Sequence, residues 1–248
     1  MIGRFVANGK VYEGRFEISK NTVIFDSLEF PLSSVKFLPP VTPGKIIAVG
    51  LNYVDHANEL HLPIPEEPII FLKPPSAVIG DNDFIVLPKQ SKRVDYEGEL
   101  AVVIKKRCKN VPRERAHEFI LGYTCFNDVT ARDLQAKDVQ WTRAKSFDTF
   151  APLGPYIAEL EDVSKLKIET RVNGEVKQKS NTSNMVFDVP ALLEFVSSIM
   201  SLEAFDVIAT GTPAGIGALK AGDFVEIEIE KIGTLRNRVI SHEFKCEC

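Results

Sequence analysis

The chain is poor in the residues that build metal fingers, disulfide scaffolds and membrane spans. It has four cysteines, four histidines and one tryptophan in 248 residues. Cys108, Cys125, Cys246 and Cys248 form no C-x-x-C pair and have no histidine cluster beside them, which argues against zinc and makes a disulfide framework unnecessary. Cys246 and Cys248 stand at the extreme C-terminus, where order is least expected. No apolar run approaches the roughly 20 residues needed to span a bilayer. Residues 1–10 carry Arg4 and Lys10 without a signal-peptide core, so no membrane association and a cytoplasmic location are expected. Positive charge is not in excess either. Thirty lysines and arginines, scattered throughout, face 34 acidic residues for a net charge of −4, and without a basic stripe no nucleic-acid partner is expected. The glycine-rich run 210–217, TGTPAGIG, lacks the Gly-Lys-Ser/Thr ending of a P-loop and the G-x-G-x-x-G spacing of a dinucleotide site.

With 44% hydrophobic residues, the chain can bury a sizeable core as one large domain, alone or with a small appendage. Residues 1–38 read as short strands at 4–7, 10–18 and 22–25, with turns at Asn8-Gly9 and Lys20-Asn21. Pro39, Pro40 and Pro43 then interrupt regular structure. A small β-rich N-terminal domain with its linker (1–42) is therefore expected before a main domain (43–248). Within the latter, strands are expected at 45–49, 69–73, 84–86, 97–104, 121–127, 154–158, 168–172, 206–210, 224–229 and 235–240. Helical segments are expected at 52–60, at 129–137 with Asp128 as N-cap, and at 189–201 with Asp188 as N-cap and Pro190 in the first turn. Many short strands and few helices define an α+β, mostly β class, a roll or sandwich rather than alternating βαβ units.

Three acids stand out. In a strand over 97–104, Glu97 and Glu99 share one face with Ala101 and Val103, while Leu100, Val102 and Ile104 take the other. Like charges two positions apart beside a buried surface are costly unless something neutralises them. Asp128 lies 31 residues after Glu97 and meets the pair only through folding; its simplest role is the helix cap. If the three converge, their all-oxygen donor set favours Mg²⁺ or Mn²⁺ over zinc.

Further candidates lie elsewhere. His56 and Glu59 are three apart, on one face of a helical turn, where a glutamate can fix the imidazole tautomer and raise its basicity. An exposed i, i+3 ion pair is the competing reading. Lys145, between Trp141 and Phe147, is placed for partial burial near the acids, although most lysines are surface groups. The run 210–217 could offer backbone N–H groups and threonine hydroxyls to a small anion, or be a simple glycine-rich turn.

Taken in order, GLNYVDHANEL (50–60), FLKPPSAVIG (71–80), VDYEGELAVVI (94–104), GYTCFNDVTARDLQ (122–135), WTRAKSFDTFAPLGPYI (141–157) and TGTPAGIG (210–217) resemble the fumarylacetoacetate hydrolase family over about residues 45–240. The resemblance implies a family-type mixed β-roll and a homodimer. It implies Glu97, Glu99 and Asp128 as ligands of Mg²⁺ or Mn²⁺, with Lys145 near the metal. His56 and Glu59 would be a water-deprotonating dyad on a segment that orders over the site, and Arg132, Gln135 and Thr212 would contact substrate. The implied substrate is a small 2-oxo acid. C–C hydrolysis of an acylpyruvate through a metal-stabilised enolate is favoured, because His56–Glu59 suits water activation. Oxaloacetate decarboxylation, keto–enol tautomerisation and 2-hydroxyhepta-2,4-diene-1,7-dioate isomerisation use the same electron sink. A non-catalytic 2-oxo acid binding protein is the more remote alternative.

Overall fold

The computed structural model describes residues 1–244; Cys246 and Cys248 lie outside the described residues. Its centre is the antiparallel pair Gly98–Ile104 and Ile120–Asn127, in register from Gly98↔Asn127 to Val103↔Gly122. They are the middle of a ten-stranded sheet. From them the sheet runs one way through Ala151–Ala158 and Ile2–Ala7 to Lys10–Arg15, and the other way through Val207–Ala209 and Ile46–Gly50 to the edge strand Ile69–Lys73. A five-stranded sheet has the order Phe84–Leu87, Gly233–Ser241, Phe224–Ile229, Lys167–Val172, Glu175–Asn181. Parallel and antiparallel pairs mix in both sheets. The architecture is α+β and mostly β, as the strand-rich pattern predicts. No helix among the described residues is long and apolar enough to cross a membrane.

Alternation along Gly98–Ile104 sorts the core as expected. Leu100, Val102 and Ile104 join Ile168, Ile227 and Leu235 of the five-stranded sheet and Leu192 and Val196 of the helix Val189–Ile199. Ala101 and Val103, on the other face, pack with Ile46, Phe126 and Leu153. Each such aliphatic side chain contributes about 1.5–3 kcal/mol by leaving water. The helix starts where its cap predicts: Asp188 accepts a hydrogen bond from the Ala191 N–H at 3.0 Å, and Pro190 occupies the first turn.

The first 37 residues gather Phe5, Phe16, Val23, Phe30 and Phe37 into an aromatic cluster. Tyr156 of the central sheet packs against it, 5.7 Å from the Phe37 ring, and Ile2 pairs with Ile157.

Two local expectations are corrected, and two elements are added. The expected strand over 97–104 is broken at Glu97, between Val94–Tyr96 and Gly98–Ile104, as the chain passes from one sheet to another. At the break Gly98 is obligatory, since a Cβ there would lie 2.2 Å from Thr170 Oγ1 on the facing sheet. Asp128 caps no helix. Thr130–Ala131 pairs with Val94–Tyr96 and stays extended, so the helix begins only at Arg132 and runs to Lys137. Finally, the strand Glu175–Asn181 and the helical turn Thr142–Lys145 were not anticipated; the strand is largely exposed and charged, and lacks the apolar alternation by which strands are recognised.

The loop between Val78–Ile79 and Phe84–Leu87 fastens the two sheets together. Asn82 N donates to Arg236 O at 2.6 Å, and Arg236 N donates to the buried Asp81 carboxyl at 2.8 Å. Burial, only partly offset by the Arg236 N–H and guanidinium, pushes Asp81 up to about 6 from its ordinary 3.8. The folded state thus holds this proton more tightly than the unfolded chain. The resulting stabilisation is complete below pH 3.8 and is lost as pH rises through about 6. Asp81→Asn keeps an acceptor for Arg236 and is expected to lack that loss, so its Tm relative to the wild-type value should climb between about pH 4 and about pH 7. A Tm difference that stays flat across this range contradicts the assignment.

Candidate active site

Strand register brings the three acids together. With Gly98 opposite Asn127, their neighbours Glu97 and Asp128 are adjacent, and Asp128 N donates to Glu97 O at 2.9 Å. Asn127 Oδ1 accepts from Glu97 N at 2.9 Å and holds the sheet-to-sheet crossing in place. Glu99 follows two residues on. All three side chains are buried, and one carboxylate oxygen from each lies within 4.8 Å of the others. Glu99 also accepts from Gly211 N at 2.9 Å. Gly211 has φ +93°, and a Cβ there would meet Asn52 Cβ at 2.8 Å, so the run 210–217 uses glycine to bring its backbone to the acids.

Cations from three segments meet these carboxylates. Lys145 Nζ donates to Glu97 at 2.9 Å and to Asp128 at 2.6 Å, with the Phe71 ring 5.0 Å away. Arg132 donates to Glu97 through Nη2, to buried Asp95 through Nε at 2.9 Å and to Gln135 Oε1 at 2.5 Å. Lys73 was not among the expected residues. Its side chain is wholly buried, and its ammonium donates to the second Asp128 oxygen and to Val129 O at 3.2 Å. Its only sequence signal is a lysine ending the apolar strand IIFLK before two prolines.

The acids are therefore not equivalent. Burial alone would raise Glu97, but Lys145 and Arg132 outweigh it and hold that carboxyl below the usual carboxylate range. Burial, reinforced by the charges of Asp128 and Glu97, drives Glu99 well above the range, against the pull of Lys145 and the Gly211 N–H. Burial lowers Lys73 more than Asp128 raises it. For Lys145 burial also lowers, yet Asp128 and Glu97 prevail and raise it. Glu99 thus marks a local excess of negative charge that a divalent cation would remove. The oxygen-only donors and their close spacing fit Mg²⁺ or Mn²⁺.

His56 lies on the helix Val54–Glu59. Its Nδ1 is 2.9 Å from Glu59 Oε2, and Glu59 Oε1 accepts from Gly215 N at 3.0 Å. The carboxylate therefore fixes the ring with Nδ1–H as donor and Nε2 as the basic nitrogen. Asn52, before the helix, pins it in place by donating to Thr210 O at 2.7 Å and accepting from Phe187 N at 2.8 Å. Asn52 was not expected as a site residue. Thr212 donates its hydroxyl to Gly98 O at 3.0 Å and accepts from Gln178 at 2.8 Å.

A cavity of about 360 Å³ joins these groups. Every sequence-predicted site residue except Glu59 lines it: His56, Glu97, Glu99, Asp128, Arg132, Gln135, Lys145 and Thr212. Glu59 stands behind His56. Val49, Leu60, Leu62, Ile69, Phe71 and Trp141 supply an apolar wall. Cys108 and Cys125 are buried free thiols that do not line the cavity.

Lys73→Met leaves a buried Asp128 oxygen without its cation and is expected to destabilise the metal-free protein by about 3–5 kcal/mol in denaturant unfolding. Lys36→Met, which breaks the exposed pair with Asp83, should cost no more than about 1 kcal/mol. Equal small effects would show that Lys73 does not carry the charge balance.

The family model for Fumarylacetoacetate (FAA) hydrolase C-terminal matches residues 45–240. The mitochondrial oxaloacetate tautomerase FAHD2A of Bos taurus is 47% identical over 223 residues, 85% of this chain and 71% of the bovine one. Among solved structures, 5-carboxymethyl-2-hydroxymuconate delta-isomerase from Mycobacterium smegmatis is similar with a TM-score of 0.90 at 47% identity, covering 97% of this chain and 98% of its own. Maleylpyruvate hydrolase from Sphingobium sp. SYK-6, in complex with manganese(II) ion and pyruvate, has a TM-score of 0.76 at 35% identity, covering 86% and 77%. The family match spans the strands that carry the acids and the loop that carries Thr212, and the chain belongs to the fumarylacetoacetate hydrolase family.

Proposed function

We propose that the protein is a divalent-metal-dependent enzyme that moves a proton at C3 of a 2-oxo acid, interconverting keto and enol or shifted double-bond forms. The observation that carries this reading is that a carboxylate-oriented imidazole, a buried ammonium and three converging carboxylates line one cavity. Glu97, Glu99 and Asp128 would hold Mg²⁺ or Mn²⁺, which when bound supplies Lewis-acid polarisation of the 2-oxo carbonyl. The manganese in the maleylpyruvate hydrolase structure supports that choice.

The chain's own groups do the rest. His56 Nε2 takes the proton from C3, the C3–H electron pair becomes the C2–C3 double bond, and negative charge moves to the C2 oxygen. Glu59 steadies the imidazolium formed. Lys145, the ammonium on the cavity wall, stabilises the oxyanion electrostatically. His56 then returns the proton to oxygen or to another carbon of the substrate. Arg132 and Gln135 orient the substrate's carboxylate, with Thr212 beside them on the cavity wall. The tautomerase and isomerase names of the relatives support proton transfer. Acylpyruvate hydrolysis is the second reading: the same dyad can deprotonate water, and the similarity to maleylpyruvate hydrolase favours keeping it.

Chelation is expected to abolish activity and Mg²⁺ or Mn²⁺ to restore it, and Glu97→Ala, Glu99→Ala and Asp128→Ala should be inactive while folded. Restoration by zinc alone, or full activity in any of these variants, overturns the metal assignment. Lys145→Met should retain metal binding and lose roughly 10²–10³ in kcat; an effect on KM alone would make Lys145 a substrate anchor. NMR in D₂O separates the two reactions. Deuterium entering C3 faster than in buffer, without cleavage, supports proton transfer, and should fall by about 10²–10⁴ in His56→Ala. Cleavage of an acylpyruvate to pyruvate and a carboxylic acid selects hydrolysis.

A further inference from the structure

We infer that Gln178 is a positioning residue of the metal centre: together with Thr212 it clamps the two peptide groups that join Glu97 to Glu99, and so sets the directions in which these acids point. This rests on the reading of Glu97, Glu99 and Asp128 as ligands of Mg²⁺ or Mn²⁺ and adds what holds two of them in place. Gln178 is set apart first by its burial. In the strand Glu175–Asn181 it alone is buried, and it pairs with the buried Thr170 of Lys167–Val172. An amide shut away from water in an otherwise exposed, charged strand must find its hydrogen-bond partners inside.

Three such partners meet it, and all belong to the site. Gln178 Oε1 accepts from Gly98 N at 2.9 Å, and Nε2 donates to Thr212 Oγ1 and to Pro213 O, both at 2.8 Å. The Gly98 N–H and the Pro213 carbonyl allow the amide one orientation. Because Thr212 Oγ1 accepts from Gln178, its own proton goes to Gly98 O at 3.0 Å. Gly98 N belongs to the peptide that leaves Glu97, and Gly98 O to the peptide that enters Glu99. The Gln178 amide and the Thr212 hydroxyl therefore hold one peptide each.

The clamp answers a difficulty that Gly98 creates. Glycine is required there because the facing Thr170 leaves no room for a Cβ, yet glycine has the greatest backbone freedom of any residue. Here it is the single residue between two ligands. Mg²⁺ accepts little departure from octahedral geometry, so freedom at Gly98 would misdirect the carboxylates. Asn127 holds Glu97 from one side and Gly211 holds Glu99 from the other; Gln178 fixes the hinge between them. The loop that carries Thr212 is seated on the same strand, since a Cβ at Gly215 would collide with Lys177 O.

The test measures binding to metal-free protein, Mn²⁺ by its EPR signal and Ca²⁺ by calorimetry, with circular dichroism to confirm folding. Gln178→Met keeps the side-chain length and removes all three hydrogen bonds. Its Kd for Mn²⁺ is expected to rise roughly 10–100-fold. Ca²⁺ tolerates flexible geometry and should weaken less, shifting the ratio of the two Kd values by about threefold or more toward Ca²⁺. Thr212→Val should act in the same direction and Thr212→Ser, which keeps the hydroxyl, should bind like wild type; this pair decides the matter if Gln178→Met does not fold. Asn237→Leu removes two buried hydrogen bonds, to Gly80 O and Asp83 O, outside the cavity wall, and controls for lost stability alone. It should leave both Kd values unchanged. Unaltered Mn²⁺ binding in folded Gln178→Met, an equal loss for both ions, or the same loss in Asn237→Leu overturns the clamp and leaves the metal centre standing. A wild-type protein that binds no Mn²⁺ overturns the metal reading and the clamp with it.

Discussion

Carboxylates closed off from water stay ionised only where positive charge meets them, and the site of this protein is organised around that requirement. Glu97, Glu99 and Asp128 share one small volume, and the desolvation of each ion amounts to several kcal/mol. Lys73, Lys145 and Arg132 arrive from the edge strand, a helical turn and a short helix to offset it. Their balance is uneven. Glu97 and Asp128 each have cationic partners, while Glu99 has the Gly211 N–H and the more distant pull of Lys145. A divalent cation would complete the set, and the protein's own lysines offset the acids' charge.

This requirement explains features that otherwise look like defects. The strand breaks at Glu97 because the carboxylate must turn toward the cavity where the chain changes sheets. Gly98 lets the second sheet approach at that point, and Gly211 takes a backbone conformation that brings its N–H to Glu99. Around them the two core clusters on either face of Gly98–Ile104 hold the strands in register. The precision of the site is that of a sheet rather than of loops.

The helix carrying His56 is joined to this frame differently. Asn52 ties its start to Thr210 and Phe187, and Ser180 donates to Asp55 at 2.5 Å, yet the segment that follows exposes Leu60, Leu62 and Ile64. The start of the element is thus held by hydrogen bonds to the frame, and the segment beyond its other end lies exposed.

Much of this was legible in the amino-acid order, for local reasons. Period-two alternation assigned Leu100, Val102 and Ile104 to one face, Asp188 and Pro190 marked a helix start, and ordered motifs named the family and the acids. What local pattern could not supply was the partner across a strand. Asp128 reads as a helix cap until pairing of Thr130–Ala131 with Val94–Tyr96 holds the next residues extended. Lys73 is one lysine among many until register and burial place it under Asp128. Glu175–Asn181 has no apolar alternation, and its strand exists because Lys167–Val172 offers it a ladder of hydrogen bonds. The sequence by itself determined the residue types, the strand faces and the candidate chemistry, since these depend on side-chain period and composition. Only the tertiary structure decided which charges neutralise which, because hydrogen bonding and desolvation act between atoms that the chain brings together from positions far apart in sequence.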